Sequence, residues 1–251
     1  MLKLNVCIDY VAAIRQITAR GEPDPLAAAV MGQIGGADGV SVSWLPDERT
    51  FQDHEYPLIR QLIQTHMNVI ITPADEIVQS VLNMHPDMVT LVPTGYQGSG
   101  MGMDWTNSNW PESDPSGRPL DHAISTIKQQ NILVNMLIRP SAADVRFCSQ
   151  LHADYVHIDT SQYATAENAT AENETLNDLA STASVATRLN MGASVGRGLH
   201  YRTISEIARI REIEEAVVGH AVMSKAMSIG YERAVRDMNA IIRHAPKSPG
   251  E

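Results

Sequence analysis

Cysteine is scarce in this sequence, which holds only Cys7 and Cys148 among its 251 residues. Two cysteines so far apart form neither a disulfide framework nor the closely spaced pairs that bind zinc, so we expect a reducing compartment and no metal. The opening residues also lack the uninterrupted apolar stretch of a signal peptide, because Asp9 and Arg15 fall within them. These absences predict a cytoplasmic protein.

Positive charge and long apolar runs are scarce too. The chain has 19 Lys and Arg against 29 Asp and Glu, which gives a formal net charge of −10. This charge repels a phosphodiester backbone, and no basic stripe offsets it, so nucleic acid is not an expected partner. No apolar run approaches the roughly 18 residues that cross a membrane, so we expect no membrane association either. An anionic ligand would have to be bound by groups placed locally.

Aromatic residues make up only 5% of the chain, against 43% hydrophobic residues, so aliphatic side chains and Met must fill the core. Short apolar runs alternate with amphipathic stretches, which is typical of repeated βα units and a parallel sheet. We count eight such pairs and predict one (β/α)8 barrel domain spanning residues 1–251, a usual length for this fold. The predicted strands are Leu4–Asp9, Gly39–Ser43, Asn68–Thr72, Met88–Val92, Leu133–Ile138, Tyr155–Ile158, Asn190–Val195 and Ala216–Val218.

Helices are predicted between these strands and after the last one. A flavodoxin-like sheet with an appendage is the structural alternative, because the count of eight units depends on short elements. The segment 93–119, rich in Gly, Ser, Asn and Pro, predicts a long loop after the fourth strand, in which Trp105 and Trp110 either cover a ligand or pack against a neighbouring subunit. The predicted helices are Pro25–Gly35, Glu55–His66, Ala74–Met84, Leu120–Gln130, Ala142–Leu151, Ala171–Leu189, Ser205–Arg211 and Ala221–Arg243.

In a (β/α)8 barrel, phosphate commonly binds in the loops after strands seven and eight. Two segments stand at those places: the run GASVGRGLH at residues 192–200, and the pair Gly219-His220 at the start of the last helix. Glycines let the backbone bring its N–H groups close to an anion, and the start of a helix favours negative charge. We therefore predict a phosphate site there, with Gly196 and Gly198 in the first loop.

Several segments carry a resemblance to a known family. They are VCIDYVAAIRQITARGEPDPLAAA near the start, then GGADGVSV, HIDTSQYA, VGRGLHY and VGHAVMSKAM, and they occur in the family's order and spacing. By these segments the chain resembles pyridoxine 5′-phosphate synthase over nearly its whole length. The resemblance implies a cytoplasmic (β/α)8 barrel that forms a homo-oligomer, an octamer or a dimer, and uses no metal or organic cofactor. It also implies condensation of 3-amino-2-oxopropyl phosphate with 1-deoxyxylulose 5-phosphate, which closes the pyridine ring of vitamin B6.

Carried over residue by residue, the resemblance assigns binding of the aminooxopropyl phosphate to Arg20, Gly198, Gly219 and His220. All four have the residue type that the family requires. Arg20 would add a bidentate guanidinium contact that a helix start alone does not make. The other interpretation of Arg20, a solvated side chain beside a turn, remains open. Asp9 matches the family's aspartate on the first strand, which contacts the second substrate.

The family's proton-transferring residues are largely replaced. Its histidine after the second strand corresponds to Ser43, its glutamate on the third strand to Ile70, and its histidine before Gly198 to Arg197. Serine and isoleucine do not exchange protons near neutral pH, and arginine stays protonated, so it stabilises negative charge but does not cycle a proton. Leu45 stands where the family has an arginine for the second substrate's phosphate. We therefore expect little ordinary synthase activity.

The replacements offer other chemistry. His157 stands for a glutamate on the sixth strand, Cys7 for an asparagine and Tyr10 for a histidine, and with Asp9 and Arg197 they can converge at strand ends as a catalytic set. The alternative is structural: a hydrogen-bonded histidine at the barrel rim and a buried cysteine. Three functions remain open: a diverged enzyme that performs a condensation, dehydration or isomerisation on a phosphorylated substrate, the ordinary synthase, or a non-catalytic protein that binds a phosphorylated metabolite.

Overall fold

The computed structural model describes residues 1–18, 20–45, 50–93 and 120–245, in which strands alternate with helices. The strands are β1 (Lys3–Cys7), β2 (Gly39–Trp44), β3 (His66–Ile71), β4 (Met88–Leu91), β5 (Leu133–Ile138), β6 (Tyr155–Asp159), β7 (Gly192–Gly196) and β8 (Glu215–Val218). The helices are α1 (Asp9–Thr18), α2 (Pro25–Ile34), α3 (Glu55–Leu62), α4 (Asp75–Leu82), α5 (Leu120–Lys128), α6 (Ala142–Gln150), α7 (Ser161–Ala164), α8 (Ala169–Arg188), α9 (Ile204–Ile207), α10 (His220–Ile229) and α11 (Tyr231–His244).

The strands are parallel and pair in chain order, and β1 also pairs with β8, which closes the sheet into a barrel. Leu4 lies opposite Ala216 and Val6 opposite Val218 at this closing seam. The closed barrel confirms the predicted (β/α)8 architecture and excludes the flavodoxin-like alternative, whose open sheet would leave edge strands. All eight strands therefore direct their carboxyl ends to one face of the barrel.

The strands are buried on both faces because helices cover the outside and side chains fill the inside. Every residue of β2 is buried. Val40 and Val42 belong to the apolar core between sheet and helices. Ser41 and Ser43, at the alternating positions, point into the barrel, since successive strand residues face opposite sides. The outer layer is thus apolar, and polar residues are placed inside.

Local sequence explains where two of the helices begin. The Asp24 carboxylate accepts a hydrogen bond from the Leu26 N–H at 2.9 Å, and Pro25 occupies the first turn of α2. Ser141 caps α6 by accepting a hydrogen bond from the Asp144 N–H at 3.4 Å. Both side chains satisfy an N–H group that the first turn of a helix leaves without a partner, which confirms these predicted starts.

Several predicted boundaries are wrong. The last helix, predicted as Ala221–Arg243, is two helices, because Gly230 between them takes a φ of +86° that breaks the α-helical path. The predicted helix Glu55–His66 ends earlier, since His66 already begins β3. Asp9, predicted to end the first strand, instead begins α1, a helix that the sequence did not predict. The other strands agree with the prediction to within a few residues.

Some predictions lie outside the described residues, namely most of the loop 93–119 with Trp105 and Trp110. In the part of the chain that the structure describes, no helix combines the length and the apolar character needed to cross a membrane. Among the same residues, no three or more His, Cys, Asp or Glu side chains are grouped so that they could hold a metal ion.

Candidate functional site

A cavity of about 410 Å³ opens at the carboxyl ends of the strands. Residues from β1, β6 and the turns after β7 and β8 meet there, because a closed barrel brings strands far apart in sequence to one face. The predicted residues that line it are Cys7, Asp9, Tyr10, His157 and Arg197 of the catalytic set, and Gly198, Gly219 and His220 of the phosphate set.

Two predicted phosphate ligands are placed differently. Arg20 is exposed in the turn after α1 and is not among the residues that line the cavity. Gly196 is the last residue of β7, and a Cβ atom at this position would lie 2.6 Å from Nε2 of the His157 imidazole. The missing side chain at Gly196 thus makes room for the His157 ring. Direct contacts of Arg20 and Gly196 with phosphate stay predictions.

The turns after β7 and β8 place backbone N–H groups at the cavity. Arg197 and Gly198 both have a φ of +79°, which turns the chain sharply after β7, and Gly219 is the N-cap of α10. Among the described residues, the N–H groups of Gly198, Leu199, Gly219 and His220 have no hydrogen-bond acceptor. We call these four groups the amide cradle. Unpaired N–H groups in a glycine turn and at a helix start are the arrangement with which proteins bind phosphate.

Close packing fixes both turns of the cradle. At Gly198 a Cβ atom would lie 2.7 Å from the Cβ of Ala164, in addition to the left-handed backbone that only glycine adopts readily. At Gly219 a Cβ atom would lie 3.0 Å from the Tyr10 ring and 3.1 Å from the Cβ of Cys7. The glycines in these turns therefore let two backbone segments lie close to their neighbours, which positions their N–H groups.

Two basic side chains lie beside the cradle. The side chain of Arg197 is 11% exposed, and its Nε is 3.3 Å from Oδ2 of Asp159. Lys225 projects from α10, with Nζ 2.8 Å from Oδ2 of Asp237 and 4.1 Å from the centre of the Tyr201 ring. Each cation is held by one carboxylate, so its position is defined before a ligand arrives. In a chain with a net charge of −10, they supply positive charge where an anion would bind.

Sequence reasoning missed Lys225 and Ser224, both of which line the cavity. The available signal was the spacing within α10. Ser224 follows His220 by four residues, and residues so spaced lie on the same face of a helix. The predicted site residue His220, at the start of α10, therefore already indicated that Ser224 faces the site.

Asp9 is held by Ser43, the residue at the position of the family's histidine. The backbone N–H of Ser43 donates to Oδ1 of Asp9 at 2.9 Å, and the Ser43 hydroxyl donates to Oδ2. Ile70 adds an apolar wall to the same cavity. Neither Ser43 nor Ile70 exchanges a proton near neutral pH. This side of the cavity therefore offers a fixed carboxylate and an apolar surface.

His157 is the buried imidazole of the site. It is 8% exposed, and its Nδ1 lies 2.8 Å from the Oγ of Ser194. Burial, and then the positive charge of Arg197, lower the pKa of His157 to about 4. The ring is therefore neutral at pH 7 and has one nitrogen with a hydrogen and one with a lone pair. Because Nδ1 is bonded to Ser194, Nε2 is the nitrogen left for a ligand.

Cys7 and Tyr10 form part of the cavity wall. Burial, and then the neighbouring Asp9 carboxylate, raise the pKa of the Cys7 thiol well above its ordinary value. A protonated thiol is a poor nucleophile at neutral pH. The Tyr10 ring meets the His220 ring edge to face, with centroids 5.5 Å apart. A catalytic role for Cys7 or Tyr10 stays a prediction.

Sequence comparison finds relatives over nearly the whole chain. The family model described as "Pyridoxal phosphate biosynthesis protein PdxJ" matches residues 4–244. The pyridoxine 5′-phosphate synthase of Geobacter sulfurreducens is 36% identical over 245 residues, which cover 98% of this chain and 100% of the relative. The pyridoxine 5′-phosphate synthase of Geotalea uraniireducens is 34% identical with the same coverage of both chains.

Solved structures are similar in fold at low sequence identity. A phosphoribosyl anthranilate isomerase from Thermus thermophilus matches with a TM-score of 0.60 and 11% identity, over 96% of this chain and 98% of that one. A tryptophan synthase from M. tuberculosis matches with a TM-score of 0.62 and 12% identity, over 96% and 93% of the two chains. These similarities bear on the barrel architecture alone.

Proposed function

Since this chain belongs to the family of the pyridoxal phosphate biosynthesis protein PdxJ, we propose that its cavity binds a phosphorylated small molecule and acts on it without a cofactor. The amide cradle carries this proposal. Its N–H groups come from two separate turns, have no acceptor among the described residues and line one cavity with Arg197 and Lys225. Backbone N–H groups and cations together match the geometry and charge of a phosphate dianion.

We further propose that the reaction differs from the ordinary synthase reaction. Ring closure requires repeated proton transfers, and each positioned acid or base contributes typically 10²- to 10⁴-fold to the rate. Ser43 and Ile70 supply no such group, and His157 is neutral at pH 7 with a pKa of about 4. A condensation, dehydration or isomerisation that needs a single proton transfer fits this site better.

In that reaction the described residues have distinct tasks. The cradle and Lys225 hold the phosphate group and so fix the position of the rest of the substrate. Arg197, anchored by Asp159, stabilises negative charge that develops on a carbonyl oxygen. His157 exchanges one hydrogen through Nε2. The Asp9 carboxylate, fixed by Ser43, orients a hydroxyl or amine of the substrate by accepting a hydrogen bond.

The ordinary synthase is the second candidate, and one observation favours it. The Geobacter sulfurreducens and Geotalea uraniireducens relatives that carry this name match over their whole length at 36% and 34% identity. A non-catalytic protein that binds a phosphorylated metabolite is the third, because the cradle alone requires no chemistry. Binding and turnover measurements separate the three.

Binding is tested first, with inorganic phosphate and a panel of phosphorylated carbonyl compounds and sugars, by thermal unfolding and calorimetry. A ligand at 100 times its Kd adds about 2.7 kcal/mol to the free energy of unfolding, which a thermal scan resolves. We expect phosphorylated compounds to stabilise the protein and their dephosphorylated counterparts to leave it unchanged. Equal effects of both sets would refute the phosphate site.

Turnover is tested with 3-amino-2-oxopropyl phosphate and 1-deoxyxylulose 5-phosphate, with the Geobacter sulfurreducens relative as a positive control. We expect formation of pyridoxine 5′-phosphate to be at least about 10²-fold slower than with the relative, since more than one proton-transferring group is missing. A comparable rate would establish the ordinary synthase instead. If binding is specific but no panel compound is converted, the non-catalytic function is the correct one.

A further inference from the structure

Below the cavity, the barrel interior holds a continuous chain of buried polar side chains. We call six of them the polar belt: Asn5, Ser41, Asn68, Thr90, Asn135 and Ser194, none of which is more than 2% exposed. His157 lies at one end of the belt and Glu215 at the other. Each of the eight strands contributes one of these eight residues, so the belt follows the inside of the whole barrel.

From Asn135 on β5, the hydrogen bonds of the belt run in one direction, toward Glu215. Ser41 donates to Oδ1 of Asn5 at 2.7 Å, and Nδ2 of Asn5 in turn donates to Oε1 of Glu215 at 3.4 Å. Further along, Asn68 donates to Ser41 at 3.1 Å, and Thr90 donates to Oδ1 of Asn68 at 2.8 Å. A chain in which every donor points the same way must end on an acceptor, and an ionised carboxylate is only an acceptor.

At the other end, the belt reaches His157 through Asn135 and Ser194. Nδ2 of Asn135 donates to Oγ1 of Thr90 at 3.3 Å and to Oγ of Ser194 at 2.9 Å. The Ser194 hydrogen then has two acceptors in reach, Nδ1 of His157 at 2.8 Å and the carbonyl of Val156 at 3.4 Å. The shorter contact is to His157. When the Ser194 hydroxyl donates to His157, Nδ1 accepts and the imidazole hydrogen is on Nε2.

The same groups have a second arrangement when Glu215 is protonated. Its carboxyl group then donates to Asn5, and the hydroxyls and amides along the belt reverse their direction. The Asn135 amide turns over, so that Oδ1 accepts from Thr90 and Ser194 and Nδ2 takes the place in which Oδ1 had no hydrogen-bond partner among the described residues. Ser194 donates to Asn135 and accepts from Nδ1–H of His157. The imidazole lone pair is now on Nε2.

We propose that the polar belt is a positioning network through which the charge of Glu215 determines which tautomer His157 presents to the cavity. When Glu215 is ionised, Nε2 of His157 carries the hydrogen and is a hydrogen-bond donor. When Glu215 is protonated, Nε2 carries the lone pair and is a proton acceptor. No proton travels along the belt, because only hydroxyl hydrogens and amide groups reorient. Solvent supplies the proton of Glu215, and the imidazole hydrogen moves between its two nitrogens by exchange with water.

The surroundings of Glu215 place its titration near neutral pH. Burial raises its pKa to about 7, against the opposing effects of the hydrogen bond from Asn5 and the charge of Lys3, and Asp38 and Glu214 raise it further. On β3, Nδ1 of His66 lies 3.9 Å from Oε2. Burial lowers the pKa of His66, which disfavours a positive charge on this imidazole beside Glu215. The two forms of the carboxyl group are therefore both populated at neutral pH.

His157 itself keeps no charge across this range, since its pKa is about 4. Its tautomer is thus the one property of the ring that the belt can change. The tautomer of His157 is a property of the free protein and does not depend on the proposed function, so either proposal can fail while the other holds.

The test uses the full chain labelled with [¹⁵N]histidine and long-range ¹⁵N–¹H correlation spectra, which distinguish the two tautomers. The His157 signals are assigned by their loss in His157→Gln. Between pH 5.5 and 8.5 we expect His157 to change from the Nδ1–H to the Nε2–H tautomer, with a midpoint near pH 7. In Glu215→Gln the change should disappear, whereas Glu76→Gln, the same substitution at an exposed site on α4, should retain it.

Ser194→Ala provides a second variant, because it removes the link and leaves Glu215 in place. We expect His157 in Ser194→Ala to show no tautomer change with pH. The proposal is overturned if wild-type His157 holds one tautomer throughout, or if the change persists in a folded Glu215→Gln variant. Should Glu215→Gln fail to fold, persistence of the change in Ser194→Ala would overturn it in the same way.

Discussion

Ser43 donates two hydrogen bonds to Asp9, one from its backbone N–H at 2.9 Å and one from its hydroxyl. A hydrogen bond to a charged partner contributes about 1.5–3 kcal/mol, and Ser43 is only 4% exposed. Ser43 therefore fixes the Asp9 carboxylate. The resemblance assigns a proton-accepting histidine to the position that Ser43 occupies. Ser43 and Asp9 therefore form a fixed hydrogen-bonded pair in the wall of the cavity.

Ser43→Ala removes one of these two donors and should lower the free energy of unfolding by about 1–2 kcal/mol, since the carboxylate loses a partner in a partly buried place. Urea unfolding at pH 7 measures this. Ser80→Ala is the matched control, because that hydroxyl donates to the carbonyl of its own helix at Glu76 and is exposed. The control should change stability by less than about 0.5 kcal/mol. Equal effects would contradict a stabilising Ser43–Asp9 pair.

Gly198→Ala should be more damaging than an alanine at Gly230. Both glycines have a positive φ, +79° and +86°, but a Cβ at Gly198 meets Ala164 at 2.7 Å whereas Gly230 has open space. The left-handed backbone alone costs an alanine about 1–2 kcal/mol, and overpacking adds about 1–3 kcal/mol at Gly198. Urea unfolding gives both values. Phosphate affinity, measured by calorimetry, should fall only in Gly198→Ala, and an equal fall in Gly230→Ala would argue against the cradle.

Lys225→Gln should weaken binding of inorganic phosphate about 5- to 10-fold, equivalent to about 1–1.4 kcal/mol, because a cation beside the cradle is lost. Lys128→Gln is a close control. Both lysines are 36% exposed and both pair with one aspartate, Lys225 with Asp237 at 2.8 Å and Lys128 with Asp154 at 2.7 Å. Lys128 lies on α5, away from the cavity, so its substitution should leave the affinity unchanged. A similar loss in both variants would indicate a general charge effect.

The strands were predictable from sequence because a buried parallel strand is a short apolar run bounded by turns, and all eight occur where such runs stand. The helix α1 was not, since its residues Val11 and Ala12 continue the apolar run of β1 without a turn signal between them. Gly230 carried the signal for the break between α10 and α11, but a single glycine inside a long amphipathic pattern also occurs in unbroken helices.

The candidate site was predictable where residues match a family motif, as at Gly198 and Gly219. The polar belt was not. Asn135 and Ser194 are 59 residues apart and meet only because β5, β6 and β7 pair in one register. Hydrogen bonds of this kind depend on which side chains share a level inside the barrel, and local sequence does not contain that information.

His157→Gln should reduce the loss of stability in acid. Burial lowers the pKa of His157 from its ordinary 6.5 to about 4, so between these pH values the unfolded chain binds a proton that the folded protein does not. The free energy of unfolding therefore falls as pH falls through this window, by on the order of 3 kcal/mol from this group. Urea unfolding at pH 7 and at pH 4 measures the free energy of unfolding of wild type and of His157→Gln. The difference between the two proteins should change by that amount from pH 7 to pH 4. His122→Gln, at an exposed histidine on α5, should show no comparable change.

Restoring the family's residues should restore part of the family's reaction. The combined variant Ser43→His, Ile70→Glu and Arg197→His returns two histidines and a glutamate to positions that line the cavity. Each positioned acid or base contributes typically 10²- to 10⁴-fold. We expect formation of pyridoxine 5′-phosphate from the two synthase substrates to rise at least about 10²-fold over the parent protein.

The matched control for this gain is Ser43→Ala, Ile70→Leu and Arg197→Lys, which alters the same positions without adding a group that transfers protons near neutral pH. Its rate should stay at or below that of the parent. The restored variant should remain slower than the Geobacter sulfurreducens relative, because Leu45 still lacks the guanidinium that the resemblance assigns to the second phosphate. A folded restored variant that binds phosphate yet gains no activity would show that the missing acid and base groups are not what separates this chain from the ordinary synthase.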